Sequence, residues 1–465
     1  MNNFFDFQKY INELEKRVKY SQSEEDEFEI RFGEFKIKKD SSGNIERDDR
    51  GRVKRFFDST FKTESFYTLK KMLDNQSSIK KYIKNTIDEI YKMDNGFNGR
   101  KTMDQNDNSE QYIKKKSISN YDVYDYNMRF SSSKEIKITK DEYEIGKNEK
   151  ECIIREKNRT CYEFSSGRID LTITKQIQQG NEKILYEVEF EISKGTFNDR
   201  RQGNDNKIND IMGIILFILQ NKQSSYFIIS EYEKRVVLDL YKKMTGKPYF
   251  VGAQPETLAK DKIINLYKNL YSVTDKADGE RCFMLIDNNG MVFFLDNNLK
   301  NIIKTDLKSE YKMCIIDGEL VKENQQFHFL AFDVLVINNK DIRGNSEYHL
   351  KVRLEQLNDI MNNTLSTNFY KASVKRYYFR NVFMASKIIL DSVDEKFYKN
   401  DGLVFTPMDE PYPIVKKWPS LLKWKPDYLN TIDLYAVKIG SGLEMDTSRW
   451  ELYVQHKENT KENKT

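Results

Sequence analysis

Charged side chains occupy every second position of the strand-like segments in the first two hundred residues, and this pattern constrains the fold most. In YEVEFE, Glu187, Glu189 and Glu191 share one face, whereas Val188 and Phe190 share the other, because side chains alternate along a strand. For a single strand, a charged face exposed to water is the simpler interpretation. Three carboxylates on one face repel each other, however, unless a cation balances them.

The same alternation recurs in other segments that are typical of strands. Glu27 and Glu29 align in EFEIR, Arg155 and Lys157 align in REKNR, and RIDLT places Arg168, Asp170 and Thr172 on one face. A closed antiparallel β-barrel with these faces turned inward would hold a triphosphate between basic side chains and a divalent metal. Carboxylate oxygens suit Mg²⁺ or Mn²⁺. Between the strands, SFYTLKKMLDNQ and SSIKKYIKNTIDEI are interpreted as helices, and Asp94–Ser109 as an exposed loop.

This arrangement resembles the triphosphate tunnel metalloenzymes, which include the metal-dependent RNA triphosphatases of fungi, poxviruses and giant viruses. The resemblance covers roughly residues 20–200 and implies metal-assisted attack of water on a terminal phosphate. It implies that Glu27, Glu29, Glu187, Glu189 and Glu191 are catalytic, with Glu27, Glu29, Glu189 and Glu191 as metal ligands. It implies triphosphate binding by Arg129, Arg155, Lys157 and Arg168, with Lys114 and Lys116 as further candidates, and tunnel support by Asp170 and Thr172.

A second group of motifs lies in the second half of the chain. Taken alone, Lys-x-Asp-Gly-x-Arg is also consistent with a hairpin turn. Here it is the first of five motifs in order, namely TDKADGER (Thr274–Arg281), IIDGEL (Ile315–Leu320), FLAFDVLVI (Phe329–Ile337), DGLVF (Asp401–Phe405) and LLKWKP (Leu421–Pro426). Their order and spacing resemble the covalent nucleotidyltransferases, which comprise capping enzymes and ATP- or NAD-dependent ligases.

The resemblance implies that Lys276 attacks the α-phosphate of a nucleoside triphosphate and forms a phosphoramidate. Because a free lysine has a pKa of about 10.4, desolvation or neighbouring cations must favour its neutral amine. The nucleotide-binding residues implied are Asp278, Gly279, Arg281, Glu319, Phe332, Lys423 and Lys425. Arg281 and Glu319 would contact the ribose, and Phe332 would stack on the base. Asp401 stands where the family places a metal-site carboxylate.

Trp424, between the two lysines of LLKWKP, resembles the capping-enzyme version of this motif rather than the ligase version. The segment Phe250–Leu258 resembles the capping enzymes of large DNA viruses of the poxvirus, asfarvirus and mimivirus type. The resemblance implies a bifunctional enzyme that uses Mg²⁺ or Mn²⁺, GTP and 5′-triphosphate RNA. It would be an RNA triphosphatase and an mRNA guanylyltransferase. The alternatives are an ATP-dependent polynucleotide ligase and a non-catalytic module that binds triphosphate RNA ends.

The predicted fold is α+β with four regions. Residues 1–204 form the tunnel barrel, 205–245 a helical connector, and 246–430 a nucleotidyltransferase domain of antiparallel sheets with helices. Residues 431–465 form a partial OB-like segment and a charged tail, because the 39 residues after Pro426 are too few for a full OB-fold. The family resemblance also implies a cap methyltransferase domain or subunit as a partner.

Charge and cysteine content exclude several other classes of protein. The 77 Lys and Arg against 73 Asp and Glu leave a formal net charge of +4, which excludes a histone-like polycation. The most apolar stretch, Ile211–Leu219, is too short to span a bilayer. The four cysteines form no C-x-x-C pair, so neither a zinc site nor a disulfide framework is indicated. We expect a soluble protein of a reducing compartment, which for a viral enzyme is the host cytoplasm or the virion.

Overall fold

The structure is a computed structural model of the 465-residue chain. It describes residues 10–16, 23, 25–93, 96–145, 152–193, 204–268, 270–323, 326–379, 381–392, 396–429, 434–441 and 448–454. The chain divides into two compact units. The first unit comprises Met1–Tyr249 and Met291–Asp306, and the second comprises Phe250–Gly290 and Leu307–Thr465.

Strands dominate both units. They are β1 (Asp26–Phe32), β2 (Glu34–Ile37), β3 (Arg55–Asp58), β4 (Lys80–Lys92), β5 (Asn98–Asp104), β6 (Glu110–Val123), β7 (Met128–Lys137), β8 (Ile153–Phe164), β9 (Gly167–Gln178), β10 (Asn181–Ile192), β11 (Gln254–Thr257), β12 (Tyr271–Ala277), β13 (Glu280–Ile286), β14 (Met291–Asp296), β15 (Ile302–Ser309), β16 (Cys314–Glu323), β17 (Gln326–Ile337), β18 (Lys340–Asp341), β19 (Thr364–Leu365), β20 (Tyr370–Val374), β21 (Asn400–Pro407), β22 (Lys417–Trp424), β23 (Tyr435–Ser441) and β24 (Ser448–Tyr453). Residues 10–16 are helical, and the further α-helices are α1 (Thr63–Asp74), α2 (Lys140–Ile145), α3 (Asn204–Gln223), α4 (Glu231–Thr245), α5 (Ile263–Lys268), α6 (Leu350–Asn362) and α7 (Val382–Asp391).

Eight strands of the first unit close into an antiparallel barrel in the order β1, β10, β9, β8, β4, β5, β6 and β7. The predicted barrel is therefore confirmed. Two elements inside it differ from the sequence interpretation. Lys80–Lys92 is strand β4 rather than a helix, and Asn98–Asp104 is strand β5 within the segment expected to be a loop. Both take strand geometry because β4 pairs with β5 and β8 along its length, and such pairing overrides local propensity.

Alternation along the barrel strands separates a charged interior from an apolar exterior. On β1, Phe28, Ile30 and Phe32 are buried in the hydrophobic core of the first unit, together with residues of α1 and α3. Glu27 and Glu29 lie on the opposite face of the same strand. Each buried aromatic or aliphatic side chain contributes about 1.5–3 kcal/mol, so the helices pack on the outside and the charged faces point inward.

Helices α3 and α4 occupy the region predicted to be helical over 205–245. Helix α4 begins with a capping box, in which the Ser230 side chain accepts a hydrogen bond from the Glu233 backbone N–H and the Glu233 side chain accepts one from the Ser230 N–H. It ends at Gly246, whose φ of +69° lies in the left-handed region that favours glycine. No helix in the described part of the chain is long and apolar enough to cross a membrane.

The second unit contains two sheets with helices, as predicted. One sheet has the strand order β11, β22, β21 and β12. The other contains β13, β16, β17 and β18 in antiparallel order, with β20 parallel to β17. Strands β23 and β24 form an antiparallel pair in the predicted OB-like segment. The predicted tail beyond residue 454 lies outside the described residues.

Candidate functional sites

The predicted carboxylates of the barrel interior come from two neighbouring strands, β1 and β10. Arg31 on β1 lies among them, with its Nε 3.1 Å from an oxygen of Glu189 and 3.6 Å from one of Glu29. Its Nη2 is 3.9 Å from Glu187. The structure therefore brings the predicted carboxylates of β1 and β10 together, and it adds Arg31, which the sequence analysis did not select.

Basic side chains face these carboxylates from β8 and β9. The Nη2 of Arg155 donates to Glu187, and Lys157 donates to the buried Asp88 of β4. A guanidinium nitrogen of Arg168 lies 2.6 Å from Glu191, and another lies 2.7 Å from Asp170. These three predicted basic residues thus line the same interior as the acids.

Arg159 on β8 was not among the predicted phosphate-binding residues. Its guanidinium lies 2.9 Å from Asp170 and donates to the hydroxyl of Thr172 at 3.2 Å. Another of its nitrogens is 4.0 Å from Glu189. The signal was present in the sequence, because Arg159 shares the alternating face of Arg155 and Lys157. Asp170 and Thr172, the predicted support residues, hold this guanidinium.

The lysine run at 114–116 is split between two faces of β6. Lys115 donates to Glu27 and lies 3.0 Å from Glu135, which places its amine with the interior carboxylates. The amines of Lys114 and Lys116 lie over the ring of Phe97 instead, at 5.6 and 5.3 Å from its centroid. Strand alternation makes these faces opposite, so Lys115, rather than the predicted Lys114 and Lys116, lies with the interior carboxylates.

Arg129 of β7 is held by a carboxylate at two points. Its Nε and Nη2 donate to the two oxygens of Asp122 at 2.6 and 3.1 Å, and its guanidinium lies 4.9 Å from the ring centroid of Phe57. An incoming phosphate would have to compete with Asp122 for this predicted phosphate-binding residue.

A cavity of about 210 Å³ opens among β4, β5, β6 and β8. It presents four cations beside hydroxyl and amide groups. The lining residues are Lys84, Thr86, Asp88, Arg100, Thr102, Asp104, Ser109, Gln111, Lys157 and Arg159. Lys157 is the only one of the ten that the sequence analysis selected, because β4 was interpreted as a helix and β5 as a loop. The charge and size of the cavity suit a polyanion such as a phosphate chain.

Burial and neighbouring charges perturb the two carboxyls that face each other in the barrel. Burial and the nearby Glu189 raise the pKa of Glu29 to about 8. For Glu189, burial also acts to raise the pKa, but Arg31, Arg159 and Lys157 outweigh it and lower the pKa to about 2. A second carboxylate close to Glu189 is therefore stable in its charged form only when more positive charge is present.

The donor atoms of this interior fit a hard divalent cation. Glu27, Glu29, Glu189 and Glu191 offer carboxylate oxygens, which Mg²⁺ and Mn²⁺ prefer. Over the described residues, no three Asp, Glu, His or Cys side chains are gathered closely enough to hold a metal ion. The carboxylates are instead paired with Arg and Lys. Metal binding would require these ion pairs to rearrange.

In the second unit, Lys276 lies at the end of β12 beside two other charged groups. Its Nζ donates to Asp401 Oδ1 at 2.7 Å, and Lys425 contacts the other oxygen of Asp401. The two lysines lower the pKa of Asp401 against the opposing effect of burial. Lys423 lies two residues before Lys425, at the end of β22, and is half-buried.

Glu319 and Arg281 are direct partners in the pairing of β16 with β13. Burial raises the pKa of Glu319 to about 7, although Lys375, Lys276 and Arg281 act in the opposite direction. Arg281 donates to both oxygens of Asp317 at 3.0 and 2.6 Å. Its guanidinium lies 5.6 Å from the ring centroid of Phe332. The residues predicted to contact the ribose and the base, Glu319 and Phe332, therefore lie beside Arg281.

Asp278 and Gly279 form the turn between β12 and β13. The side chain of Asp278 is exposed, and its backbone N–H donates to the Lys399 carbonyl at 2.9 Å. A Cβ at position 279 would lie 2.8 Å from the Leu320 carbonyl oxygen and 2.9 Å from Glu319 Cγ. Glycine is therefore needed here for close approach of β16 to the turn.

Three supporting residues of this site were not selected from the sequence. Asp317 is fully buried and accepts hydrogen bonds from Arg281 and from the Tyr412 hydroxyl at 2.6 Å. Lys375, also buried, lies 3.5 Å from the Asp275 carboxylate. Asp317 stands inside IIDGEL and was identifiable there. Lys375 and Tyr412 lie in no motif, and only the fold brings them to the site.

Two family models match adjoining parts of the chain. Residues 41–221 match the family model described as mRNA capping enzyme, beta chain. Residues 220–427 match the one described as mRNA capping enzyme, catalytic domain.

Three curated relatives are similar to this chain. The probable mRNA-capping enzyme of Acanthamoeba polyphaga mimivirus is 26% identical over 345 residues, which cover 60% of this chain and 28% of that protein. The mRNA-capping enzyme of Danio rerio is 28% identical and covers 41% and 35%, respectively. The mRNA-capping enzyme subunit alpha of Candida glabrata is 27% identical and covers 47% and 57%. The chain thus spans between 28% and 57% of the length of these relatives.

Two solved structures overlap the chain at low similarity. The S. pombe Pct1 RNA triphosphatase has 18% identity and a TM-score of 0.35, and it covers 47% of this chain and 93% of that one. The RNA triphosphatase domain of a trifunctional mimivirus mRNA capping enzyme has 15% identity and a TM-score of 0.32, with coverages of 46% and 98%.

Proposed function

We propose that the chain is an mRNA capping enzyme, because two domain models of that description together match residues 41–427, and that it catalyses two successive reactions at the 5′ end of RNA. The first removes the γ-phosphate of 5′-triphosphate RNA. The second transfers GMP from GTP to the resulting diphosphate end. We assign the first reaction to residues 1–204 and the second to residues 246–430, joined by the helices of 205–245 and followed by the partial OB-like segment and tail of 431–465.

The proposed triphosphatase site is the interior of the barrel. The basic side chains of Arg155, Lys157 and Arg159 would bind the phosphate chain, and Lys115 would take part from β6. Mg²⁺ or Mn²⁺ held by Glu27, Glu29, Glu189 and Glu191 would stabilise negative charge on the phosphate and favour ionisation of a water molecule. The observation that supports this proposal is the burial of opposed acidic and basic side chains inside one closed barrel.

The proposed guanylyltransferase site is centred on Lys276. Its Nζ would attack the α-phosphorus of GTP, so that a P–N bond forms and the P–O bond to pyrophosphate breaks. Asp401 positions the amine through its hydrogen bond, and the ammonium proton must pass to solvent before the attack, because the lowered pKa of Asp401 makes it a poor proton acceptor. Lys425 and Lys423 would neutralise the departing pyrophosphate. A terminal oxygen of the RNA diphosphate then attacks the same phosphorus and releases Lys276.

The nucleotide would lie over the surface formed by β13, β16 and β17. Glu319 and Arg281 would contact the ribose, and Phe332 would stack on the base. Asp278 and Gly279 would form the turn beside the nucleotide. Glycine is required at position 279 because a side chain there would collide with β16. The observation that carries the second activity is the 2.7 Å contact between Lys276 and Asp401, with Lys425 on the same carboxylate.

Incubation of the purified chain with labelled GTP or ATP tests the second activity. We expect a covalent, acid-labile label from GTP with Mg²⁺ or Mn²⁺, which Lys276→Ala abolishes. Release of phosphate from triphosphate RNA should persist in this variant. A label from ATP alone would instead identify a polynucleotide ligase.

Glu29→Ala and Glu189→Ala test the first activity, and they should abolish phosphate release while retaining the covalent label. Loss of both activities through one of these substitutions would contradict two separate sites. If wild-type protein binds triphosphate RNA but releases no phosphate with either metal, the barrel is a non-catalytic end-binding module.

Cellular location and partners follow from the proposed reactions. Similarity to a mimivirus protein supports a viral enzyme, which would act in the host cytoplasm or the virion, in a reducing compartment. Its product, a guanylylated RNA end, is a substrate for a cap methyltransferase, so a methyltransferase domain or subunit is the expected partner.

A further inference from the structure

The segment Lys36–Arg55, here called the basic arm, runs from the end of β2 to the start of β3 in the first unit. It carries eight Lys and Arg residues against four Asp and Glu residues. This excess of four positive charges equals the formal net charge of the whole chain, so the remaining residues balance to neutrality. Positive charge is therefore concentrated in one exposed segment of twenty residues.

Two acids of the basic arm have a structural role in its turns. Asp40 Oδ1 accepts backbone hydrogen bonds from Ser42 and Asn44, both at 2.9 Å. Asp48 Oδ1 accepts them from Arg50 and Arg52 at the same distance. Such turns explain the presence of these two aspartates.

Several Lys and Arg side chains of the basic arm have no comparable role in its turns. Lys39 and Arg50 are exposed and form no ion pair with any described residue. Lys36 and Arg52 each pair with one carboxylate, at 2.6 and 2.7 Å, but both remain largely exposed. The arm therefore offers positive charge to a partner outside the chain.

Aromatic rings lie at the base of the basic arm. Phe35 of β2 contacts Phe57 of β3 and Tyr124, with ring centroids 5.0 and 4.4 Å apart. The guanidinium of Arg55 lies 5.8 Å from the centroid of the Tyr124 ring, which is 46% exposed. Exposed rings beside guanidinium groups can stack on nucleobases.

Both ends of the basic arm adjoin the charged interior of the barrel. Strand β2 begins two residues after Phe32, the last residue of β1, and Arg31 on β1 contacts Glu189. At the other end, Ser59 follows β3 and donates to Glu187 at 3.1 Å. An RNA strand whose 5′ end is bound among these carboxylates and basic residues would pass the basic arm as it leaves the barrel.

We propose that the basic arm and the exposed ring of Tyr124 bind the single-stranded RNA that follows the 5′-triphosphate. This inference rests on the proposed triphosphatase activity for the position of the RNA end. Cations would contact the phosphates, and Tyr124 would stack on a base. RNA is favoured over an acidic protein because the rings and the cations lie side by side, and only a nucleic acid alternates phosphates with planar bases.

The test compares substrates of different length. The γ-phosphate release from a 5′-triphosphate RNA of about 20 nucleotides and from free GTP is measured for the wild type and for the double variant Lys39→Gln/Arg50→Gln. Affinity for a 5′-hydroxyl RNA of the same length is measured by fluorescence anisotropy at several salt concentrations. The matched control is Lys242→Gln/Lys243→Gln, which removes two exposed charges from α4.

We expect the arm variant to raise KM for the RNA about three- to tenfold and to leave kcat and GTP hydrolysis unchanged. The slope of log Kd against log salt should fall by about 1.4, since each phosphate contact to a single strand contributes about 0.7. Tyr124→Ala should raise KM for RNA and leave the salt slope unchanged, because stacking releases no counterions.

Two results would overturn the inference. One is an unchanged KM and RNA affinity in the arm variant. The other is an equal loss in the α4 control, which would show a general effect of net charge. If the wild type hydrolyses no substrate, the proposed triphosphatase activity fails, whereas the anisotropy measurement with 5′-hydroxyl RNA still decides whether the arm binds RNA.

Discussion

Glu319→Gln should change the pH dependence of stability of the second unit by a calculable amount. Burial raises the pKa of Glu319 from 4.5 to about 7, with Lys375 and Lys276 acting in the opposite direction. Between these two pH values the folded state therefore binds more protons at this position than the unfolded state does. It follows that the wild type loses stability as pH rises through this window.

The magnitude follows from the size of the pKa change. One pKa unit corresponds to about 1.4 kcal/mol, so a carboxyl with these two pKa values lowers the free energy of unfolding by about 2.5 kcal/mol between pH 5 and pH 8. Glutamine has nearly the same shape and does not titrate. The difference in unfolding free energy, variant minus wild type, should therefore be about 2.5 kcal/mol more positive at pH 8 than at pH 5.

Urea denaturation followed by tryptophan fluorescence provides the assay. The three tryptophans of the chain, Trp418, Trp424 and Trp450, all lie in the second unit, so fluorescence follows the unfolding of that unit. Phe332→Leu is the control, because it changes the same site without removing a titrating group. A Glu319→Gln difference that is the same at both pH values would refute the assignment of a buried, proton-binding carboxyl at this position.

Three further experiments, with five substitutions, test other features. Gly279→Ala should destabilise the second unit by about 1–3 kcal/mol and abolish the GMP label. The control Gly213→Ala, whose added Cβ would have no neighbouring atom within 4 Å, should stabilise α3 by about 0.5–1 kcal/mol. If both variants changed the free energy of unfolding and the labelling equally, the steric argument for Gly279 would be contradicted. Lys115→Gln should lower the rate of phosphate release about a hundredfold, while Lys114→Gln should leave it nearly unchanged. A larger loss in Lys114→Gln than in Lys115→Gln would show that the Lys114 face of β6, and not the Lys115 face, points into the barrel. Ser230→Ala should cost about 1 kcal/mol in thermal or urea unfolding; no loss would show that the cap of α4 is dispensable.

Local sequence predicted a closed barrel and the residues at the centre of each site, although it missed strands β4 and β5. Alternation in YEVEFE assigned Glu187, Glu189 and Glu191 to one face, since a strand repeats every two residues wherever it lies. The order of five motifs placed Lys276, Glu319 and Asp401 in one predicted site, and the structure places all three near one another. The GTP, RNA and metal roles of these residues stay predictions.

The tertiary structure decided what depends on strand pairing between distant segments. Lys80–Lys92 was interpreted as part of a helix and is strand β4, which pairs with β5 and β8. The register of β6 places the Lys115 side chain, and not that of Lys114, among the interior carboxylates.

Lys375 was brought next to Asp275, a hundred residues earlier in the chain. No local pattern contains these choices, because a shift of one residue in register exchanges the two faces of a strand. The sequence by itself therefore determined which residue types face each other inside the barrel, and long-range pairing determined which individual side chains meet.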